Sequence, residues 1–305
     1  MPLGKPRQEE RQKKSDDDNR SEDLELVTPK FSLDDLIISS ETNAELKSLA
    51  SLKSDHELVF HRMGFIETHR RQNKFIVNFY GEPGTGKTLA AHAFAHEFGK
   101  KLLIVDYSQV ESKYVGETPK NLKKIFDFAK HNDCLIFFDE ADAILSRRVT
   151  DMHSSTDTSV NQTRSVLLNI LNDFEGNLIF ATNFISNYDP AFMRRISKHV
   201  FFALPDHECR EKLLRKYIPT GQHPTLDFAF LATHSEGLSA ADIENATLMA
   251  GFFAASKQRE IITTEDLIIQ LDNTKTSKQH NSAPLKTFTT TSKTATLPSN
   301  IEGEK

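Results

Sequence analysis

The stretch Gly81-Glu82-Pro83-Gly84-Thr85-Gly86-Lys87-Thr88 fits the pattern G-x-x-x-x-G-K-[ST], and few folds can accommodate it. Its glycines let the backbone curl until several N–H groups point inward, and the helix that follows aims its positive dipole end at the same point. Such a loop cradles phosphate, with Lys87 reaching the outer phosphates, Thr88 offering its hydroxyl to Mg²⁺ and Leu89 continuing into the helix. The context agrees. Phe75-Ile76-Val77-Asn78-Phe79-Tyr80 reads as a buried strand before the loop, and Leu89-Ala90-Ala91-His92-Ala93-Phe94-Ala95 reads as a helix after it.

From Phe75 onward, short apolar runs alternate with helical patterns: Phe75–Tyr80, Leu102–Asp106, Cys134–Phe138, Leu178–Thr182 and His199–Phe202. That alternation predicts an α/β fold with a five-stranded parallel sheet between helices, one of which opens at Thr118 with Pro119 in its first turn. Ligands of such sheets sit beyond the carboxyl ends of the strands, so chemistry is expected just after each run. The third run ends in Asp139-Glu140, two adjacent carboxylates. Asp139 suits the Mg²⁺ shell, and Glu140 suits a general base that polarises an attacking water. Asn183 follows the fourth run, placed to hydrogen-bond a terminal phosphate or the water, although asparagine at a strand end also forms turns.

Composition narrows the classes. With 305 residues and a formal charge of -5, the chain has room for a large and a small domain and lacks the basic field of a nucleic-acid binder. Its two cysteines, Cys134 and Cys209, have neither metal-ligand spacing nor a disulfide framework, which suits the cytoplasm; Cys134 lies in a core-like run. The apolar stretch from Ala246 to Ala255 is too short to span a membrane, and no apolar leader opens the chain. The twelve histidines are scattered, and no His-Glu-x-x-His signature is present.

These motifs together resemble an AAA ATPase module of the AAA+ superfamily, in a single-module bacterial-type form, over Phe31 to about Thr274. Gly81–Thr88 is similar to its Walker A motif, Cys134–Glu140 to Walker B and Phe180-Ala181-Thr182-Asn183 to sensor 1. The resemblance implies ATP and Mg²⁺ as ligands and a homo-oligomeric ring, a hexamer in that family. Asp189-Pro190-Ala191-Phe192-Met193-Arg194-Arg195-Ile196 resembles the second region of homology, which makes Arg195, then Arg194, the expected arginine finger acting on a neighbour's nucleotide. Without the family match, two arginines ending a helix read as a solvated, dipole-favoured pair. Lys113-Tyr114-Val115-Gly116-Glu117 is similar to the family's pore loop, so Tyr114 and Val115 are expected to grip a polypeptide. Gly237-Leu238-Ser239-Ala240-Ala241-Asp242-Ile243 resembles the lid motif whose backbone lies against the nucleotide, here at Ala241, with Ala240 in place of the usual glycine. Glu82 likewise replaces a common proline of Walker A.

The expected organisation is a charged, disordered tail and linker over 1–30, a large α/β subdomain over 31–204, a helical lid over 205–272 and a Ser/Thr/Lys-rich disordered tail over 273–305. The first tail is either a solvating extension or a docking arm. Ser32-x-x-Asp35 and Ser239-x-x-Asp242 are capping boxes, and Glu41 to about Met63 suggests one or two amphipathic helices carrying Leu46, Leu49, Leu52, Leu58 and Phe60. Lid helices are expected over Glu208–Tyr217, Asp227–Thr233, Ser239–Ser256 and Glu265–Leu271. His153 is either a second pore-loop element or an exposed side chain. The resulting expectation is ATP hydrolysis coupled to protein remodelling through the pore. A nucleotide-controlled scaffold is the alternative, and a nucleic-acid translocase is disfavoured by the acidic balance.

Overall fold

In the computed structural model, residues 24–68, 74–106, 117–146, 155–183 and 188–282 are described. Tyr114, Val115 and His153 lie outside them. Six strands form one sheet: β1 (Leu26–Val27), β2 (Phe75–Tyr80), β3 (Leu102–Asp106), β4 (Leu135–Asp139), β5 (Asn177–Thr182) and β6 (Lys198–Phe201). Their spatial order is β1-β3-β4-β5-β2-β6, parallel throughout except for β1.

The strands read as unbroken apolar runs because both faces of the sheet are covered, yet their side chains still alternate. Ile76, Leu103, Ile136, Phe138, Leu178 and Phe180 enter one core with helices α3 (Glu117–Asn132) and α5 (Ser155–Asp173). Val77, Phe79, Leu135, Phe137, Ile179 and Val200 enter the other, with α1 (Ser40–Glu57) and α2 (Lys87–Glu97). Short helices α4 (Asp142–Leu145) and α6 (Pro190–Met193) follow β4 and precede β6. Helix α3 starts at Glu117, one residue before the expected cap Thr118, and keeps Pro119 in its first turn. On α1, Leu46 and Leu49 are buried, whereas Leu52 and the following Leu58 face solvent.

A third core is purely helical: α7 (His207–Tyr217), α8 (Phe228–His234), α9 (Ala240–Ser256) and α10 (Thr264–Ser282). Asp206, Asp227 and Ser239 cap the first three, each accepting a backbone N–H of the first turn.

Two expectations are corrected. The sheet has six strands, not five, because Leu26 and Val27, inside the presumed tail, pair with Leu103 and Leu102. Two residues are too few for a periodic signal, and partner pairing with partial burial of Leu26 makes them a strand. The last helix does not stop at Leu271. It continues to Ser282, where polar contacts replace apolar ones: Asp272 meets His234 at 2.9 Å, Lys275 donates to the His234 carbonyl and Lys278 to the Gly237 carbonyl at 3.3 Å. These residues recur every third position, a charged stripe that hydrophobic periodicity does not register. Among the described residues, no helix is long and apolar enough to cross a membrane.

Candidate functional site

Strand β2 lies between β5 and β6, so the loop leaving it is bracketed by the residues that end both neighbours. Gly81, Gly84 and Gly86 all have positive φ, at 147°, 74° and 99°. At Gly81 there is also no room: a Cβ would stand 2.2 Å from the Phe202 carbonyl oxygen. The loop therefore bends back over the sheet and delivers Lys87 to the start of α2.

Lys87 is buried, and its Nζ donates to the carbonyls of Gly81 (2.7 Å) and Glu82 (2.9 Å) and to Asn183 Oδ1 (3.4 Å). Burial pushes its pKa down, opposed by the nearby charges of Asp139, Asp142 and Glu82. Thr88 donates to Asp139 Oδ2 at 3.2 Å, and Asp139 Oδ1 receives the N–H of Glu140 at 3.0 Å. Glu140 itself is exposed and has φ 50°, an uncommon conformation for a side-chain-bearing residue, of the kind that collects at working sites.

Pro83 through Leu89, Asp139, Glu140, Asn183 and Ala241 line one cavity of roughly 340 Å³. Gly81 and Glu82 touch it through the lysine that their carbonyls hold. Leu36 to Ile38, Tyr217 and Glu244 close the far wall, which thus draws on the helical core. Ala241 N–H donates to the Gly84 carbonyl at 3.2 Å, bringing the start of α9 directly onto the loop.

The donor set suits a hard cation. Thr88 and Asp139 present adjacent oxygens, and among the described residues no group of three or more His, Cys, Asp or Glu competes as a metal cage. One carboxylate and one hydroxyl leave most positions to water and phosphate, the arrangement Mg²⁺ prefers.

Arg194 and Arg195 do not line the cavity. Arg195 is half-buried; its guanidinium donates to Asn172 Oδ1 at 2.9 Å and to the Ala191 carbonyl at 2.7 Å. Arg194 is exposed at the end of α6.

Two groups of residues escaped sequence reading. Asp142 accepts the Asn183 N–H with both carboxylate oxygens, at 3.1 and 2.9 Å; its place three residues after Asp139 was the available signal. On β2, Asn78 contacts Tyr188 Oη (3.4 Å) and His199 Nδ1 (3.5 Å), and Thr182 donates to Asn78 Oδ1 at 3.3 Å. Burial pushes the Tyr188 hydroxyl up to about 12, so it stays a neutral donor and acceptor. A polar residue within an apolar strand was the trace of that network.

A parallel sheet with a phosphate loop, an acidic pair on the next strand but one and a polar residue on the strand between defines a phosphate-loop nucleotide-binding domain. Residues 77–204 match the family described as "ATPase family associated with various cellular activities (AAA)", so this stretch is an AAA ATPase domain. Among curated relatives, "Probable 26S proteasome regulatory subunit 10B" of Caenorhabditis elegans is 35% identical over 197 residues, covering 62% of this chain and 48% of its own. The "26S proteasome subunit RPT4" of Saccharomyces cerevisiae is 33% identical over 240 residues (75% and 53%). The "Proteasome-activating nucleotidase" of Thermococcus onnurineus is 32% identical over 261 residues (83% and 64%). The chain thus spans about half to two thirds of the length of these relatives.

Proposed function

We propose that the chain hydrolyses ATP with Mg²⁺ and, as a ring of copies, couples that hydrolysis to the remodelling of protein substrates. The observation that carries the ATPase reading is the convergence of Lys87, the Thr88–Asp139 pair, Glu140 and Asn183 on one cavity. Phosphate entering it would meet the loop N–H groups and draw the Lys87 ammonium from the carbonyls that hold it. Thr88 and Asp139 would hold Mg²⁺, which supplies charge neutralisation on the phosphate oxygens. Glu140, exposed beside them, orients and deprotonates the attacking water, and Asn183 contacts the terminal phosphate. Arg195 and Arg194 lie outside this cavity, which fits an action on a neighbouring copy's nucleotide. The protein-substrate reading rests on the likeness to proteasomal ATPases and on Tyr114 and Val115 as a pore loop; the hexamer follows from the same likeness. Two buried, unpaired cysteines suit a reducing, cytoplasmic setting.

The test is phosphate release by the full chain over a range of protein concentrations. Specific activity should rise with concentration, Lys87→Ala should abolish nucleotide binding, and Glu140→Gln should bind ATP without turning it over. Undiminished turnover in Lys87→Ala would remove the site assignment. Tyr114→Ala, which should hydrolyse ATP but lose remodelling, separates a threading machine from a nucleotide-controlled scaffold.

A further inference from the structure

We propose that Lys278 is a positioning residue for the nucleotide site, latching the helical unit to the phosphate loop through Glu82 and Asp242. This rests on the ATP-binding reading and adds to it a control over nucleotide exit. Helix α10 runs past its last buried leucine until Lys278 stands over the loop, its Nζ 3.0 Å from Glu82 Oε2 and 3.4 Å from Asp242 Oδ2. It also donates to the Gly237 carbonyl at 3.3 Å. Three segments thereby meet on one ammonium: the phosphate loop, the turn before α9 and the first turn of α9.

Each partner is tied further into the site. The Glu82 carbonyl receives Lys87 Nζ and the Thr85 hydroxyl (2.8 Å), so the residue Lys278 grips is one that shapes the phosphate lysine's surroundings. The Asp242 carboxylate completes the α9 capping box by accepting the Ser239 N–H at 2.9 Å. A second contact crosses the same seam at Gly84, whose carbonyl accepts the Ala241 N–H; a Cβ there would lie 2.7 Å from Ser239 Oγ and 2.8 Å from Ala241 Cβ. Glu82 stands at a position that the loop pattern leaves free, and its carboxylate meets Lys278. Burial opposes the charge of Lys278, but the bond to Glu82 and the charges of Asp242 and Glu82 outweigh it and hold its pKa above the usual lysine value.

Loop and the start of α9 both line the cavity and adjoin at Gly84, so parting them widens the way out for a bound nucleotide. Lys278 and Glu82 are partly exposed, so their attraction is modest and salt-sensitive. Losing it should speed release by about two- to fivefold.

The experiment is stopped-flow release of fluorescent N-methylanthraniloyl-ADP from the full chain, at about 0.05 M and about 0.5 M salt. Glu82→Gln and Lys278→Met should each speed release at low salt, and the double variant should release no faster than either. Lys278→Arg should restore the original rate, and high salt should bring the unsubstituted chain towards the variants. Unchanged release in the single variants, or effects that simply add, would overturn the latch. Should the unsubstituted chain bind no fluorescent ADP, the ATP reading fails instead. Amide exchange of the 81–88 peptide in nucleotide-free protein then decides the latch: faster exchange in Lys278→Met supports it, and equal exchange overturns it.

Discussion

Asp142 holds the backbone N–H of Asn183 between its two carboxylate oxygens, at 3.1 and 2.9 Å. The side chain of Asn183 meanwhile faces Lys87 Nζ at 3.4 Å. A carboxylate on α4 therefore sets the height at which the end of β5 presents its amide to the phosphate lysine. An amide–carboxylate bond is worth roughly 1.5–3 kcal/mol. Asp142→Asn should lower turnover about tenfold or more while changing nucleotide affinity by less than about threefold. Paired titration and single-turnover measurements check this; equal losses in both would mean that Asp142 shapes the pocket as a whole.

The loop glycines should differ in cost. At Gly86 a Cβ meets open space, so Gly86→Ala carries only the strain of φ 99°, about 1–2 kcal/mol. Gly81→Ala drives a methyl into the Phe202 carbonyl and must part β6 from the loop, at a cost of about 3 kcal/mol or more. Denaturant unfolding of the two variants ranks them.

Arg194 and Arg195 should separate by stability. Arg195 bonds Asn172 and the Ala191 carbonyl, so Arg195→Ala should lower the melting temperature as well as turnover, by about 1–2 kcal/mol of stability. Exposed Arg194 should leave the melting temperature in place when changed to alanine and affect only turnover. Mixing either variant with Lys87→Ala subunits reads whether the arginine acts across a subunit boundary.

Acid should destabilise the protein well before its carboxylates titrate. Burial lowers the pKa of His92, with Lys30 adding to the effect, and burial lowers that of His199. Both groups thus bind protons more readily in the unfolded chain. Their contribution is fully present above about pH 6.5 and is lost as the pH falls towards the folded-state values. The melting temperature should drop by a few degrees between about pH 7.5 and about pH 5.5, each kcal/mol being worth roughly 2–4 °C in a chain of this size. The double variant His92→Gln, His199→Gln should show a flatter profile by calorimetry.

What could be read in advance followed strong local rules. A loop from Gly81 to Thr88 requires a strand before it and a helix after it, and runs such as Leu135–Phe138 are apolar because helices cover both faces. Ser239 announced a helix start because its capping box with Asp242 is a contact of three residues' span. What was hidden depends on partners distant in the chain. Leu26–Val27 becomes a strand only beside Leu102 and Leu103, and Lys278 looks like a solvated tail lysine until α10 brings it over Glu82. Asp142 was visible as an acid, but nothing local tied it to an amide forty-one residues on.

The position of β2 in the sheet also dictates when the nucleotide loop can take shape. Its two neighbours are β5 and β6, so Ile76 finds Leu178 and Val77 finds Lys198, about a hundred residues or more downstream. Until those strands leave the ribosome, the segment carrying Gly81 to Thr88 has no sheet to belong to. Strands β3 and β4 pair with each other and are able to assemble first. A nascent chain that stalls before Asn177 therefore exposes an apolar strand with neither neighbour and has no site, which makes completion of the phosphate loop's surroundings a late event in biosynthesis.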